Sequence, residues 1–202
     1  MYKFTWDFNF NKEGGAKANI AALINEFGLP TTIVEIGSYE GLTTFWMNDE
    51  IGPLNPNLKI YSIDPHGGSI DIKDDFNTVA ENFHHNMQVC ENNKITHLNK
   101  KSEHGLVDLI NQRIEAELIY IDGDHTAGTV LTDLVLSWQI LKNGGVILCD
   151  DTVVWKYKDK NGACSAQMSP RLAVETFIQC HWHELEILAL PNSTQTAFRK
   201  II

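Results

Sequence analysis

Apolar residues along this chain come in two alternating rhythms. Short runs rich in β-branched residues, at Thr31 to Ile36, Lys59 to Ile63, Ile95 to Leu98, Leu118 to Ile121 and Val146 to Cys149, read as strands. Between them, apolar positions recur at helical spacing. Such stretches are residues 14–27, ended by Gly28 and Pro30, then Gly41 to Asp49, a stretch running from an Asp74 or Asp75 cap to about Val89, Gly105 to Ile114, and the segment between Asp124 and the Gly144-Gly145 turn. The pattern is βαβαβαβαβ, and strands joined by helical crossovers pair in parallel. Beyond Asp151 the rhythm breaks. Residues 152–169 have no period, Pro170 opens a further helix at a favoured first-turn position, and His183 to Leu190 and Gln195 to Arg199 read as a closing hairpin.

Two of the strands end in carboxylates: Asp122 and Asp124 after one, Asp150 and Asp151 after the next. Parallel pairing puts both acidic ends on one edge, the edge where open α/β sheets bind ligands. Clustered carboxylates take up protons unless something positive compensates them, and the nearest lysine, Lys142, lies at the far end of the intervening helix. A divalent cation is the economical answer, and hard oxygen donors suit Mg²⁺ better than zinc. The segment 152–169 leaves the same edge and is expected to be either a lid over a substrate or a packed surface loop.

Composition narrows the partners. With 202 residues, 43% of them hydrophobic, the chain suits one domain, residues 1–202, with an N-terminal arm and helix over 1–30. A formal charge of -10 with no basic stripe disfavours nucleic acid and leaves a small molecule as the expected partner. Cys90, Cys149, Cys164 and Cys180 are widely spaced, which fits a reducing, cytoplasmic setting, and no apolar run approaches the ~20 residues of a membrane span. The alternating aromatics Tyr2, Phe4, Trp6, Phe8 and Phe10 could bury themselves against a second subunit or against their own domain.

Two half-sites for a nucleoside-type cofactor stand out. In VEIGSYEGLTT the first strand delivers Glu35 and then Gly37, Ser38, Tyr39, Glu40 and Gly41 ahead of a helix, whose start offers unpaired N–H groups to an anion. The second strand ends in Asp64, placed to accept hydrogen bonds from ribose hydroxyls. The spacing is not the dinucleotide G-x-G-x-x-G, and Glu35 suits a cationic amino-acid end, so S-adenosylmethionine is favoured over NAD.

These segments, with YIDGDHTAGTVLTDL, LKNGGVILCDD and the closing RLAVETFI and QTAFRK, resemble a class I S-adenosylmethionine-dependent methyltransferase, and within that superfamily the metal-dependent O-methyltransferases of the catechol and macrolide-sugar types. The resemblance implies an α/β Rossmann-like fold, a seven-stranded, mostly parallel sheet with its last strand antiparallel and helices on both faces. It implies that Glu35, Gly37, Ser38, Tyr39, Gly41 and Thr43 hold the methionine end of the cofactor, Asp64 the ribose, and Ser102 and Glu103 the adenine, with Asp122 bordering the same site. It also implies Asp122, Asp150 and Asp151 as magnesium ligands and His125 as general base. The third metal position is Asp here, where the catechol enzyme has Asn.

The expected reaction is an in-line methyl transfer to a hydroxyl on a small molecule, with His125, whose type titrates near ~6.5, taking the proton. Asp124 is expected to cap the following helix, and His84, His85, His181 and His183 to be surface or structural. Two alternatives remain. One is a metal-independent transferase acting on an amine or a protein side chain, and the other is a cofactor-binding domain without turnover.

Overall fold

In the computed structural model the described residues are 1–5, 10–11, 13–68, 74–152, 166–190 and 193–202. Strands β1 (Thr32–Ile36), β2 (Lys59–Ile63), β3 (Ile95–Leu98), β4 (Ala116–Ile121), β5 (Leu141–Cys149), β6 (Leu185–Leu188) and β7 (Thr196–Lys200) form one sheet in the order β3-β2-β1-β4-β5-β7-β6. The first five pair in parallel, and β7 is antiparallel to both of its neighbours. The helices are α1 (Ala16–Phe27), α2 (Leu42–Ile51), α3 (Phe76–Val89), α4 (Ser102–Asn111), α5 (Ala127–Ile140) and α6 (Pro170–Cys180).

Successive strand residues point to opposite faces, and both faces are covered. Val34, Ile36, Ile119, Ile121 and Ile147 pack with Leu106, Leu109, Leu134 and Phe177 of α4, α5 and α6. Ile33, Ile60, Leu118 and Leu148 pack with Ile20, Phe45 and Phe83 of α1, α2 and α3. The second face also carries a polar row. Register aligns His97 with Ser62, Ser62 with Glu35, and Glu35 with Tyr120, so four polar side chains on four neighbouring strands share one level beneath the ligand edge.

Several boundaries differ from the sequence reading, two of them for a packing reason. Helix α4 begins at Ser102 rather than Gly105. Glycine is a poor helix former and reads as a boundary, but here it lets the helix approach the sheet: a Cβ on Gly105 would lie 2.6 Å from Ile63 Cγ2. Strand β5 starts at Leu141, with Gly144 and Gly145 inside it at a register irregularity opposite Ala116 to Leu118, so this glycine pair is a break within the strand. Of the closing strands, β6 is shorter than the expected His183 to Leu190 and β7 is shifted by one residue from the expected Gln195 to Arg199, and they pair antiparallel as anticipated.

The described part of the N-terminal arm packs on its own domain. Tyr2 stacks on Phe45 with ring centroids 5.0 Å apart, Lys3 exchanges two hydrogen bonds with Asn86, and Phe10 is buried. Trp6 and Phe8 lie outside the described residues, as do 153–165 of the expected lid and 69–73 of the loop after Asp64.

Candidate active site

A cleft of about 430 Å³ opens at the C-terminal ends of β1, β2 and β4. It is lined by Gly37, Tyr39, Asp64, Ser102, Glu103 and Asp122 among the residues anticipated from sequence. Phe76, Lys101 and Thr129 line it too and were not anticipated. Its volume lies within the ~300–1,000 Å³ of small-molecule sites. A larger cleft of about 540 Å³, around Asn48, Asp49 and Lys94, lies away from the acidic edge and holds none of the anticipated residues.

The turn after β1 is tightly built. Gly37 has φ +83°, and a Cβ there would lie 2.2 Å from the Asp122 carbonyl oxygen, so only glycine lets β1 and β4 end side by side. Asp64 braces this turn. Its Oδ2 accepts the N–H groups of Ser38 and Tyr39, both at 2.8 Å, and its Oδ1 accepts that of His66 at 2.7 Å. Gly41, at φ +86°, stands at the N-cap of α2. Tyr39 reaches across the cleft mouth and donates to Asp74 at 2.6 Å.

Glu35 lies below this turn and does not line the cleft. Its carboxyl is fully buried, accepts a hydrogen bond from Thr44 and is pushed up to about 8, chiefly by burial. Ser38 turns its hydroxyl inward to Ser62 at 2.5 Å, and Ser62 meets His97 Nδ1 at 3.2 Å. Burial, then neighbouring His66, pushes His97 down to about 4, so it is neutral at physiological pH. Thr43 is half-buried and does not line the cleft. Its neighbour Thr44 is the hydroxyl that meets Glu35.

The acidic edge forms as expected at the ends of paired β4 and β5, and protein groups occupy it. The Tyr120 hydroxyl lies 2.9 Å from Asp122 Oδ2 and 2.7 Å from Asp150 Oδ2. Gln195 Nε2 donates to the same Asp150 oxygen at 2.8 Å, and Asp150 Oδ1 accepts the N–H of Asp151 at 2.6 Å. Asp151, at φ +54°, places its Oδ2 4.0 Å from His125 Nε2. His125 Nε2 also lies 3.6 Å from Asp122 Oδ1. Asp122 is pushed up to about 7, first by burial and next by the charge of Asp150, although its side chain remains one-third exposed. Asp124 accepts the Thr126 N–H at 2.6 Å and so shapes the entry to α5. Lys142 is engaged with Glu117 at the opposite edge.

This geometry does not fit a cation held by Asp122, Asp150 and Asp151 together. Mg²⁺ needs a free lone pair on each ligating carboxylate, at about 2.0–2.1 Å in near-octahedral array. Protein donors take three of the about four acceptor sites on Asp150, and Asp122 Oδ1 and Asp151 Oδ2 both converge on His125 Nε2. Among the described residues, no group of three or more His, Cys, Asp or Glu side chains is placed to hold a metal ion. Tyr120 carried a legible signal, since it stands two residues before Asp122 and therefore on the same sheet face. Gln195 carried none, because its meeting with Asp150 depends on the β5–β7 register.

The sequence pattern of a methyltransferase domain matches residues 34–152, from β1 through the last acid of the edge. The chain belongs to this methyltransferase family. With this sheet order it is a class I S-adenosylmethionine-dependent methyltransferase. Solved structures of the same fold include an O-methyltransferase from Bacillus cereus in complex with SAH (TM-score 0.65, 14% identity, 90% of this chain and 79% of that one). A calicheamicin methyltransferase (TM-score 0.63, 14% identity, 95% and 82%) and the O-methyltransferase NovP (TM-score 0.62, 13% identity, 91% and 76%) are similar too. None of the curated proteins compared by sequence matches the chain. Among the described residues no helix is long and apolar enough to cross a membrane.

Proposed function

We propose that this methyltransferase acts on a hydroxyl group of a small molecule, with His125 as the general base. The observation that carries this reading is the placement of His125 at the acidic edge, its Nε2 between Asp122 Oδ1 and Asp151 Oδ2 at 3.6 and 4.0 Å. Asp122 also lines the cleft, so a base at this point stands beside the cofactor compartment. When bound, S-adenosylmethionine supplies an electrophilic methyl group. Gly37, Tyr39 and the start of α2 would hold its methionine end, Asp64 its ribose, and Ser102 and Glu103 its adenine. Glu35 acts from beneath, as an acid that ionises when a cationic group comes near.

His125 accepts the hydroxyl proton on its imidazole as the oxygen loses it, and the two carboxylates beside Nε2 stabilise the imidazolium that results. Base help of this kind is worth about 10²- to 10⁴-fold. A hydroxyl substrate also matches two structurally similar proteins that are O-methyltransferases by name. The acids near His125 are then electrostatic partners of the base, and no step requires a cation between them.

The test is incubation of the protein and S-adenosylmethionine with a pool of small hydroxylated metabolites, read by mass spectrometry for gain of one methyl group. O-methyl products formed by wild type and reduced at least a hundredfold by His125→Ala support the reading. Methylation confined to amines or to protein side chains would refute it.

A further inference from the structure

We infer that Tyr120 and Gln195 are positioning residues that hold Asp122 and Asp150 together in the way a divalent cation otherwise would, so the acidic edge is assembled by protein hydrogen bonds. This rests on the reading of the edge as the place where His125 works. Two carboxylates at the ends of adjacent parallel strands repel, and either a shared proton or a donor of positive character between them relieves this. Here it is the phenol hydrogen of Tyr120, with its oxygen 2.7 Å from Asp150 and 2.9 Å from Asp122.

The bridge is supported from behind. Gln195 Nε2 donates to Asp150 at 2.8 Å, and its Oε1 accepts from Asn19 Nδ2 at 2.6 Å. Asn19 is itself fixed to the Gly14 carbonyl at 3.0 Å and to Ser193 Oγ at 2.7 Å. A chain of hydrogen bonds therefore runs from α1 through Gln195, just before β7, to Asp150, Tyr120 and Asp122, and ends beside His125. Tyr120, Gln195 and Asn19 are all buried, so their geometry is set by packing against the sheet. Three of the about four acceptor sites on the two Asp150 oxygens are taken by protein donors, so it could offer a cation at most one.

Binding of Mn²⁺ alone, followed by calorimetry and by electron paramagnetic resonance, tests this without reference to any substrate. Wild type is expected to show no saturable site below millimolar Mn²⁺, with or without SAH. Tyr120→Phe, which keeps the ring and removes the bridging hydrogen, is expected to bind Mn²⁺ at least tenfold more tightly than wild type. Gln195→Leu, which removes one donor from Asp150 and leaves the phenol, is expected to fall between the two and serves if Tyr120→Phe does not fold. One tight Mn²⁺ site in wild type, lost in Asp150→Ala, would overturn the inference, as would equal Mn²⁺ affinity in wild type and both variants. Failure to methylate any hydroxyl would sink the proposed function and leave this measurement interpretable.

Discussion

Replacing Glu35 by Gln should remove a pH-dependent loss of stability several kcal/mol deep. Glu35 is 1% exposed at the centre of a row of buried polar groups, and its carboxyl is pushed from an ordinary 4.5 up to about 8. Burial is the main cause. The hydrogen bonds from Thr44 and Ser38 act the other way, and the charges of Asp122 and Asp64 add to the rise. The unfolded chain releases this proton near 4.5 while the folded protein holds it to about 8, so folding stability falls as pH rises through that window and stays lower above it. At ~1.4 kcal/mol per pH unit, the full window is worth on the order of 3 to 5 kcal/mol. Glutamine keeps the shape and cannot ionise. Urea unfolding of wild type and Glu35→Gln at pH 5, 7 and 9 isolates the effect, because the other titrating acids are common to both proteins. The two should have similar stability at pH 5, and the variant should be the more stable one at pH 9. Parallel stability-pH curves for the two proteins would show that Glu35 is charged in the fold and that its burial has been misjudged.

Other consequences are equally open to measurement. If Glu35 answers the cationic end of the cofactor, S-adenosylmethionine binding at pH 7 should release a proton, visible as a buffer-dependent calorimetric enthalpy that vanishes in Glu35→Gln; a buffer-independent enthalpy in wild type would separate Glu35 from the cofactor. His125→Ala should lower kcat by about 10²- to 10⁴-fold and leave SAH affinity within a few-fold of wild type, whereas matched losses in both would make His125 a structural residue. Gly37→Ala should destabilise the fold by more than about 2 kcal/mol, because its Cβ would lie 2.2 Å from the Asp122 carbonyl oxygen at φ +83°; an unchanged melting temperature would refute the close approach. Asp64→Asn, facing three N–H donors, should weaken SAH binding at least tenfold, as read by fluorescence or calorimetric titration, and wild-type affinity would remove Asp64 from the cofactor site.

Local pattern alone determined which segments are strands and helices, and that Asp64, Asp122 and Asp150 stand at strand ends on one edge, because apolar periodicity and turn residues act over a few neighbours. It also gave the glycine turn after β1, where Gly37 and Gly41 have positive φ. Pattern could not tell that Gly105 belongs inside α4, since the reason is the nearness of Ile63 on another strand. Tertiary structure decided the chemistry of the edge. The acids were legible one by one, and the protein donors that meet them were not. Those donors are Tyr120, which reaches Asp150 across 30 residues of sequence, and Gln195, which reaches it across 45. Contacts over such separations are fixed by sheet order and register, which bring β7 back beside β5 and place hydrogen-bond donors where sequence showed only negative charge.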